Sequence, residues 1–343
     1  MASQPQERPN AGKIRLAVVC SFFDEEGAVD PFYARLRAVL AGDLAHVEAR
    51  LVFVDDGSTD ATRARLERLA EGDPRIRVVA LSRNFGHQAA LSAGLDVARG
   101  DAVVLMDSDL QHPPEVLPAM VARWLEGHAV VSAVRRDTAD GSLLKRLSSR
   151  VFYRLFNLLS DVPLVPGAAD FTLLSREAAR VLRRMPERHR FLRGMVAWTG
   201  FPAASVPYVA PPRVAGRSKY TLHRMVALAL DAVCSFTVRP IRVAAKVGLA
   251  VAGLGLVYLA YAVVRALIFG DVVPGWASIL CTVIILGGMN LFFVGVVGEY
   301  VARVYQEVKS RPIYVLAPRR RRSRPGRAAR RDEHPPEGSG APR

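Results

Sequence analysis

Ala49-Arg50-Leu51-Val52-Phe53-Val54 leads straight into Asp55-Asp56-Gly57-Ser58, and farther on Ala102-Val103-Val104-Leu105-Met106 leads into Asp107-Ser108-Asp109. Each is a short apolar run that breaks on carboxylates, which reads as a buried strand ending in a polar turn. Strand-like and helix-like segments alternate around them. Arg15 to Phe23 is a first strand, and Ala28 to Leu40 a helix with Val29, Phe32, Leu36 and Leu40 on one face. Thr59 to Ala70 is a helix, Ile76 to Leu81 a third strand and Gln88 to Ala98 a further helix. Alternation with short connections implies an α/β fold, a parallel sheet covered by helices on both faces. Such sheets bind ligands beyond the carboxyl ends of their strands, so both acidic clusters are expected to face one crevice.

The chemistry of those clusters follows from their spacing. Asp107 and Asp109, one residue apart where the chain leaves a strand, can share a hard divalent cation such as Mg²⁺ or Mn²⁺, which takes oxygen ligands and keeps water or substrate phosphate in its shell. Gln111, two residues on, can offer another oxygen. Alone, Asp-x-Asp is weak evidence, because strand ends commonly carry aspartates. Asp56 can accept hydrogen bonds from a ribose or a base, while Ser58 or Asp60 suits the N-cap of the following helix. The reading adopted is capping for Ser58 and nucleotide for Asp56.

Half of the 343 residues are apolar, and the excess collects between Ala244 and Tyr300. Ala244 to Phe269 and Ala277 to Gly298 are each long enough to cross a bilayer, which needs about 20 residues. Their connector, Gly270 to Trp276, carries Asp271 and no Lys or Arg, whereas Arg239, Arg242 and Lys246 precede the first span and Arg303, Lys309 and Arg311 follow the second. The positive-inside bias places both termini and the head in the cytoplasm. Ser142 to Ser160 has helical spacing with Lys145, Arg146, Arg150 and Arg154 largely opposite its leucines, which suits either a membrane-interface helix or an ordinary amphipathic helix on the sheet. Residues 221–243 form a juxtamembrane segment with helical spacing at Thr221 to Val233.

The net charge of +15 calls for an anionic partner or a solvent explanation. Much of it sits in Arg319 to Arg331, in a Pro- and Gly-rich tail from Pro318 that is expected to be disordered and either solvated or held against anionic lipid. No zinc-finger spacing, helix-turn-helix or RNA-binding aromatic motif accompanies the charge, so nucleic acid is not the expected partner. Cys20, Cys234 and Cys281 make neither a metal pattern nor a disulfide framework. Met1 to Gly12 is polar, is expected to be disordered, and lacks the apolar core of a signal peptide.

In combination these motifs resemble the GT-A fold of glycosyltransferase family 2, and in particular its polyprenyl-phosphate glycosyltransferases. The residues that carry the likeness are Val54 to Ser58, Ser82-Arg83-Asn84-Phe85-Gly86-His87-Gln88, Met106 to Pro114, Ala169-Asp170-Phe171 and Gly216-Arg217-Ser218-Lys219-Tyr220, followed by the two apolar spans. The likeness runs from about Arg15 to Arg311. It implies a Rossmann-like, mostly parallel sheet over residues 13–220, a C-terminal two-helix transmembrane hairpin over 244–300 and a cytoplasmic segment with the basic tail over 301–343. By resemblance, Asp107, Asp109 and Gln111 hold the metal. Phe23, Glu25, Asp56 and Ser108 belong to the nucleotide side, and Arg135, Arg213 and Lys219 grip the phosphates of donor or acceptor. Asp170 matches the aspartate regarded as catalytic.

The resemblance further implies inverting transfer from a nucleotide-sugar to polyprenyl (undecaprenyl) phosphate at the inner membrane, in a homotetramer. UDP-glucose is the first expectation for the donor, ahead of UDP-linked amino-sugars, UDP-GlcNAc and GDP-mannose. Two departures stand out. The usual Pro-x-Tyr-Asn-Glu-Glu reads Ser21-Phe22-Phe23-Asp24-Glu25-Glu26, and Thr172 stands where many bacterial members have arginine. A processive polysaccharide synthase would need a longer transmembrane channel and usually a Gln-x-x-Arg-Trp motif, and neither is present. A membrane scaffold that binds nucleotide without turnover is the non-enzymatic rival, which transfer of a labelled nucleotide sugar would exclude.

Overall fold

A computed structural model describes residues 13–135, 168–188, 190–209, 239–269 and 275–318. The expectations for residues 1–12, 142–160, 221–238 and 319–343, and for Arg213 and Lys219, lie outside the described residues.

Among the described residues seven strands form one mixed sheet: β1 (Arg15–Phe22), β2 (Glu48–Asp55), β3 (Ile76–Ala80), β4 (Ala102–Asp107), β5 (Val130–Arg135), β6 (Ala168–Ser175) and β7 (Ala203–Tyr208). Their order is β3-β2-β1-β4-β6-β5-β7. The first four are mutually parallel. β6 runs antiparallel to both β4 and β5, and β7 pairs parallel with β5. Helices α1 (Glu26–Ala41), α2 (Thr62–Gly72), α3 (His87–Val97), α4 (Leu117–Leu125), α5 (Arg176–Arg184) and α6 (Leu192–Trp198) fill the connections.

Strand β1 is apolar at almost every position because both of its faces are covered. Successive side chains point to opposite faces, so Leu16, Val18, Cys20 and Phe22 join one core with α1 and α4, while Ala17 and Val19 join another with α3 and α5. In the first core Phe22, Phe32 and Phe53 meet edge to face at centroid distances of 5.8, 5.3 and 6.4 Å. In the second, α3 lies so close to β1 that a Cβ on Gly94 would stand 2.2 Å from Val19 Cγ1, which explains a glycine in mid-helix.

One capping expectation is corrected. Helix α2 begins at Thr62, not Thr59, and Ser58 does not cap it. The Ser58 hydroxyl instead accepts the backbone N–H of Asp24 at 3.1 Å, and Asp60 is the residue that accepts from Thr62 N at 2.9 Å.

Two long helices follow, α7 (Arg239–Phe269) and α8 (Trp276–Val308), and they pack on each other. Ala245–Arg265 and Thr282–Val308 are long and apolar enough to cross a membrane, and no residue of either apolar stretch is fully buried. Helix α8 continues past the expected Gly298, carrying the Glu299–Arg303 ion pair on its last turns. Beyond it the chain returns to the head. Ser82 N donates to Val315 O at 2.9 Å, Ala317 N donates to Ala80 O at 2.8 Å, and Leu81 pairs antiparallel with Leu316. Tyr314 donates its hydroxyl to Asp96 at 2.9 Å, and Glu307 accepts from Arg188 N at 2.9 Å. This return covers the edge of β3, whose backbone groups would otherwise be open to pairing.

Asp73, at the end of α2, receives Arg75 Nη2 at 2.7 Å and the Tyr33 hydroxyl at 2.8 Å, tying α1 to the turn before β3. The Arg75 hydrogen bonds, acting against partial burial and helped by Tyr33, hold the Asp73 carboxyl down at about 2. A depressed carboxylate contributes stability that is complete above its unfolded value of about 3.8 and lost as pH falls through about 2. Asp73→Asn is therefore expected to cost about 1–2 kcal/mol at neutral pH. Thermal unfolding of the detergent-solubilised chain should show that difference at pH 7 and show it shrinking as the pH falls from about 4 toward 2.

Candidate functional site

The carboxyl ends of β1, β2 and β4 meet in one crevice, and its floor is built first. Asp24 has a left-handed backbone (φ 50°), which aspartate tolerates better than most residues. Its Oδ1 accepts Thr59 N at 2.7 Å and the Thr59 hydroxyl at 3.2 Å. Glu25 N donates to Thr62 Oγ1 at 2.9 Å, Glu26 N donates to Asp60 at 3.1 Å, and Ala61 N donates to the Glu26 carboxylate at 3.1 Å. The loops after β1 and β2 thus cap each other. Asp24, a departure from the usual asparagine, is used here as an acceptor, a role its carboxylate fills.

Asp56 is buried, and its two oxygens accept Phe85 N at 2.8 Å and Gly86 N at 3.0 Å. Gly57 (φ 70°) permits this, since a Cβ there would lie 2.2 Å from the Arg83 backbone carbon. The pair Asp56-Gly57 therefore sets the Ser82–Gln88 loop and aims the start of α3 into the crevice. At that start His87 Nδ1 lies 3.0 Å from Ser21 Oγ. Its Nε2 lies 3.1 Å from Asp107 Oδ1 and 3.4 Å from Asp170 Oδ2. Burial lowers the pKa of His87, but Asp170 and Asp107 outweigh it and the net shift is upward.

Asp170, on β6 and 8% exposed, is the most heavily held carboxylate in the site. Arg193 of α6 forks onto it, Nε to Oδ1 at 2.7 Å and Nη2 to Oδ2 at 3.0 Å. Gln88 Nε2 adds a third bond at 2.9 Å, and Gln88 Oε1 in turn accepts Leu192 N at 2.9 Å, locking α6 in place. Burial pushes the Asp170 carboxyl up, yet the nearby His87 ring, the Arg193 hydrogen bonds and the Arg193 charge hold it well below the usual carboxylate range.

Asp107 and Asp109 are not compensated in this way. Asp107 Oδ1 and His87 Nε2 are both buried, and neither has a hydrogen bond of good geometry despite their approach. The Asp107 backbone N–H donates to His112 Nδ1 at 2.9 Å, so that nitrogen is an acceptor and the ring is neutral, in keeping with the downward shift that burial gives His112. We therefore read its 3.6 Å approach to Asp107 Oδ2 as proximity, not an ion pair. The His112 ring stacks on Phe171 at 5.2 Å. Asp109 is exposed and accepts Gln111 N at 3.0 Å. Gln111 Oε1 accepts from Arg135 Nη1 at 3.4 Å. Ser108 is buried beneath them, its hydroxyl 2.6 Å from Ser21 O and 2.5 Å from Glu25 Oε2, so that its one proton serves these two acceptors. Glu25 is pushed up to about 7, first by burial, against the Ser108 bond, and then by Asp109 and Asp107. Phe23 stands at the rim, 42% exposed.

A divalent cation fits this arrangement. The crevice holds more buried negative charge than its own donors satisfy, and Asp107 Oδ1 lacks a hydrogen bond. Among the described residues no three His, Cys, Asp or Glu side chains form an enclosing metal set. A cation at Asp107 and Asp109 would complete its shell with substrate phosphate and water, as Mg²⁺ commonly does.

The structure thus brings together Glu25, Asp56, Asp107, Ser108, Asp109, Gln111, Arg135 and Asp170, with Phe23 at the edge. His87 and Gln88 stood in a quoted motif without a role, and Arg193 was not singled out. Nothing local marks Arg193, whose partner lies 23 residues away.

A model described as "Glycosyl transferase family 2" matches residues 17–183, and one described as "GtrB C-terminal hairpin" matches residues 239–304. The bactoprenol glucosyl transferase of Shigella phage SfX is 38% identical over 307 residues, 90% of this chain and all of that one. The chain belongs to glycosyltransferase family 2. The prophage bactoprenol glucosyl transferase homolog of Escherichia coli K12 is 37% identical over 88% of this chain and 98% of its own. Among solved structures, the mannosyltransferase PcManGT of Pyrobaculum calidifontis, in complex with GDP-Man and Mn²⁺, is 19% identical with a TM-score of 0.46 over 87% of this chain and 88% of that one.

In this glycosyltransferase the Asp170–Arg193 fork predicts a specific coupling. Arg193→Gln leaves a buried carboxylate short of its main partner and is expected to cost at least about 2 kcal/mol of stability. Asp170→Asn added to Arg193→Gln should recover most of that loss, because no charge then remains to be paired. Thermal or denaturant unfolding of the four species checks this, and additive losses would count against the fork.

Proposed function

We propose that this glycosyltransferase moves a sugar, with glucose from UDP-glucose as the leading assignment, onto polyprenyl phosphate at the cytoplasmic membrane face. The observation that carries the reading is an acidic crevice and an apolar hairpin on one chain, with residues 315–317 after α8 bonded back onto the end of β3. A water-soluble donor and a bilayer-held acceptor are the substrates such a layout suits. The names of the relatives, similar over nearly their whole length, support the same acceptor.

A phosphate monoester has a second pKa of about 6 and is mostly ionised at neutral pH. It is already a nucleophile, and its difficulty is approaching another anion. Arg135, beside Gln111, offers one cation for that approach, with Arg213 and Lys219 assigned alongside it. Mg²⁺ or Mn²⁺ held by Asp107 and Asp109, with Gln111, would neutralise the departing diphosphate. Asp56 and Glu25 are assigned to the nucleotide side, and Asp56 also fixes the loop that carries His87. Direct displacement at the anomeric carbon inverts its configuration. Asp170 is held ionised and is a weak base, so its part is to stabilise positive charge on the sugar and orient the acceptor. Lys and Arg flank the hairpin on the head side, and the return of residues 315–317 to β3 keeps the end of α8 beside the head, which supports a cytoplasmic head and tail.

Two experiments test the proposal. Asp107→Asn with Asp109→Asn is expected to abolish transfer from labelled UDP-glucose to polyprenyl phosphate and to remove metal-dependent nucleotide binding. Full activity in EDTA would refute the metal assignment. In a background without native cysteines, Asp271→Cys should be labelled from outside and Ser323→Cys only after the membrane is opened; outside labelling at residue 323 would reverse the topology.

A further inference from the structure

At the opposite end of the sheet, where β1 and β4 begin, Arg15, Arg50, Arg99, Arg176, Arg180 and Arg183 line a cavity of about 320 Å³ floored by Gly100 and Val103. It lies one strand length, roughly 17 Å, from Asp107, given about 3.3 Å per residue along β4. Some of this charge has a local use. Arg15 and Arg176 both reach Asp101, and Arg50 pairs with Glu48 at 3.3 Å. Arg183 donates to Leu95 O and Ala98 O at 2.7 and 2.8 Å, and Arg99 donates to Asp96 O and Ala98 O, both at 2.8 Å, so the two cap the carbonyl end of α3. Asp96 itself receives the Tyr314 hydroxyl.

Those uses leave the cavity strongly positive. Among the described residues the six guanidiniums are met by Asp101, Glu48 and, at Arg183, Asp96, and Arg180 has neither an ion pair nor a hydrogen bond there. Burial and the nearby charges of Arg99 and Arg180 lower the Arg183 pKa, with Asp96 opposing. Local bonds account for each guanidinium except that of Arg180, but like charges gathered in this number still repel one another. Arginine forks match phosphate oxygens in pairs, and the volume is at the small end of the range for ligand pockets.

We propose that this arginine cavity is a second anion site that takes a phosphate-bearing group, separate from the sugar-transfer crevice. Its ligand is either a small soluble phosphate compound or the headgroup of an anionic lipid, and the chemistry that recognises both is the same. The site is independent of the donor and acceptor assigned above, so it can stand or fall without them.

The test uses the full chain in nanodiscs and inorganic pyrophosphate as the probe, measured by calorimetry in EDTA. Arg50→Gln with Arg180→Gln removes two exposed side chains that the fold does not depend on. In neutral phosphatidylcholine discs this variant should lose one equivalent of pyrophosphate binding, or bind it at least about tenfold more weakly. Arg135→Gln, in the transfer crevice, should keep that equivalent. In phosphatidylglycerol discs, disappearance of the equivalent from the unmodified chain assigns the cavity to lipid headgroups, and its persistence assigns it to soluble phosphates. Equal stoichiometry and affinity in the unmodified chain and the double variant would overturn the proposal.

Discussion

Buried negative charge at one end of a sheet is the constraint around which this molecule is arranged. Glu25, Asp56, Asp107 and Asp170 converge where β1, β2, β4 and β6 come together, with Asp109 exposed at their rim, and ionised carboxylates cannot be desolvated side by side without compensation. The compensation is uneven. Asp56 receives two backbone N–H groups, and Asp170 receives an arginine fork and an amide. Glu25 has a single hydroxyl, and Asp107 Oδ1 has His87 nearby without a proper bond. The satisfied carboxylates shape the crevice, and the unsatisfied ones leave uncompensated negative charge that suits the divalent cation proposed above.

The parallel half of the fold was legible because strands covered on both faces must be apolar along their buried stretches, as β1, β2 and β4 are beyond their first residues. The acidic turns at their ends were legible for the complementary reason, that carboxylates interrupting such runs have to sit at the rim. What could not be read was set by partners distant in sequence. Arg193 looks like any helical arginine until β6 places Asp170 against it. Ser58 has the right type and position for a helix cap, yet the Asp24 N–H across the crevice competes for its hydroxyl and wins. The return of Val315 to Ala317 onto β3 has no local pattern either, because it answers an open sheet edge more than two hundred residues earlier in the chain.

That return joins two chemistries that the composition shows only side by side. The β3 edge bonded to residues 315–317 leads directly into Ser82, whose loop is fixed at its other end by Asp56 and delivers His87 to Asp107 and Asp170. The end of the apolar hairpin and the acidic crevice are therefore linked through one short, hydrogen-bonded stretch of backbone.

The charge of Asp170 is proposed to be placed for the reaction, and not merely for packing. Asp170→Asn keeps the shape of the side chain and removes that charge. Nucleotide-sugar affinity by calorimetry, measured beside initial rates with polyprenyl phosphate, separates the two roles. Affinity is expected to hold, because Asp56 and the Asp107–Asp109 pair are untouched, while the rate falls at least about a hundredfold. Turnover close to that of the unmodified enzyme would contradict the claim and reduce Asp170 to a structural residue.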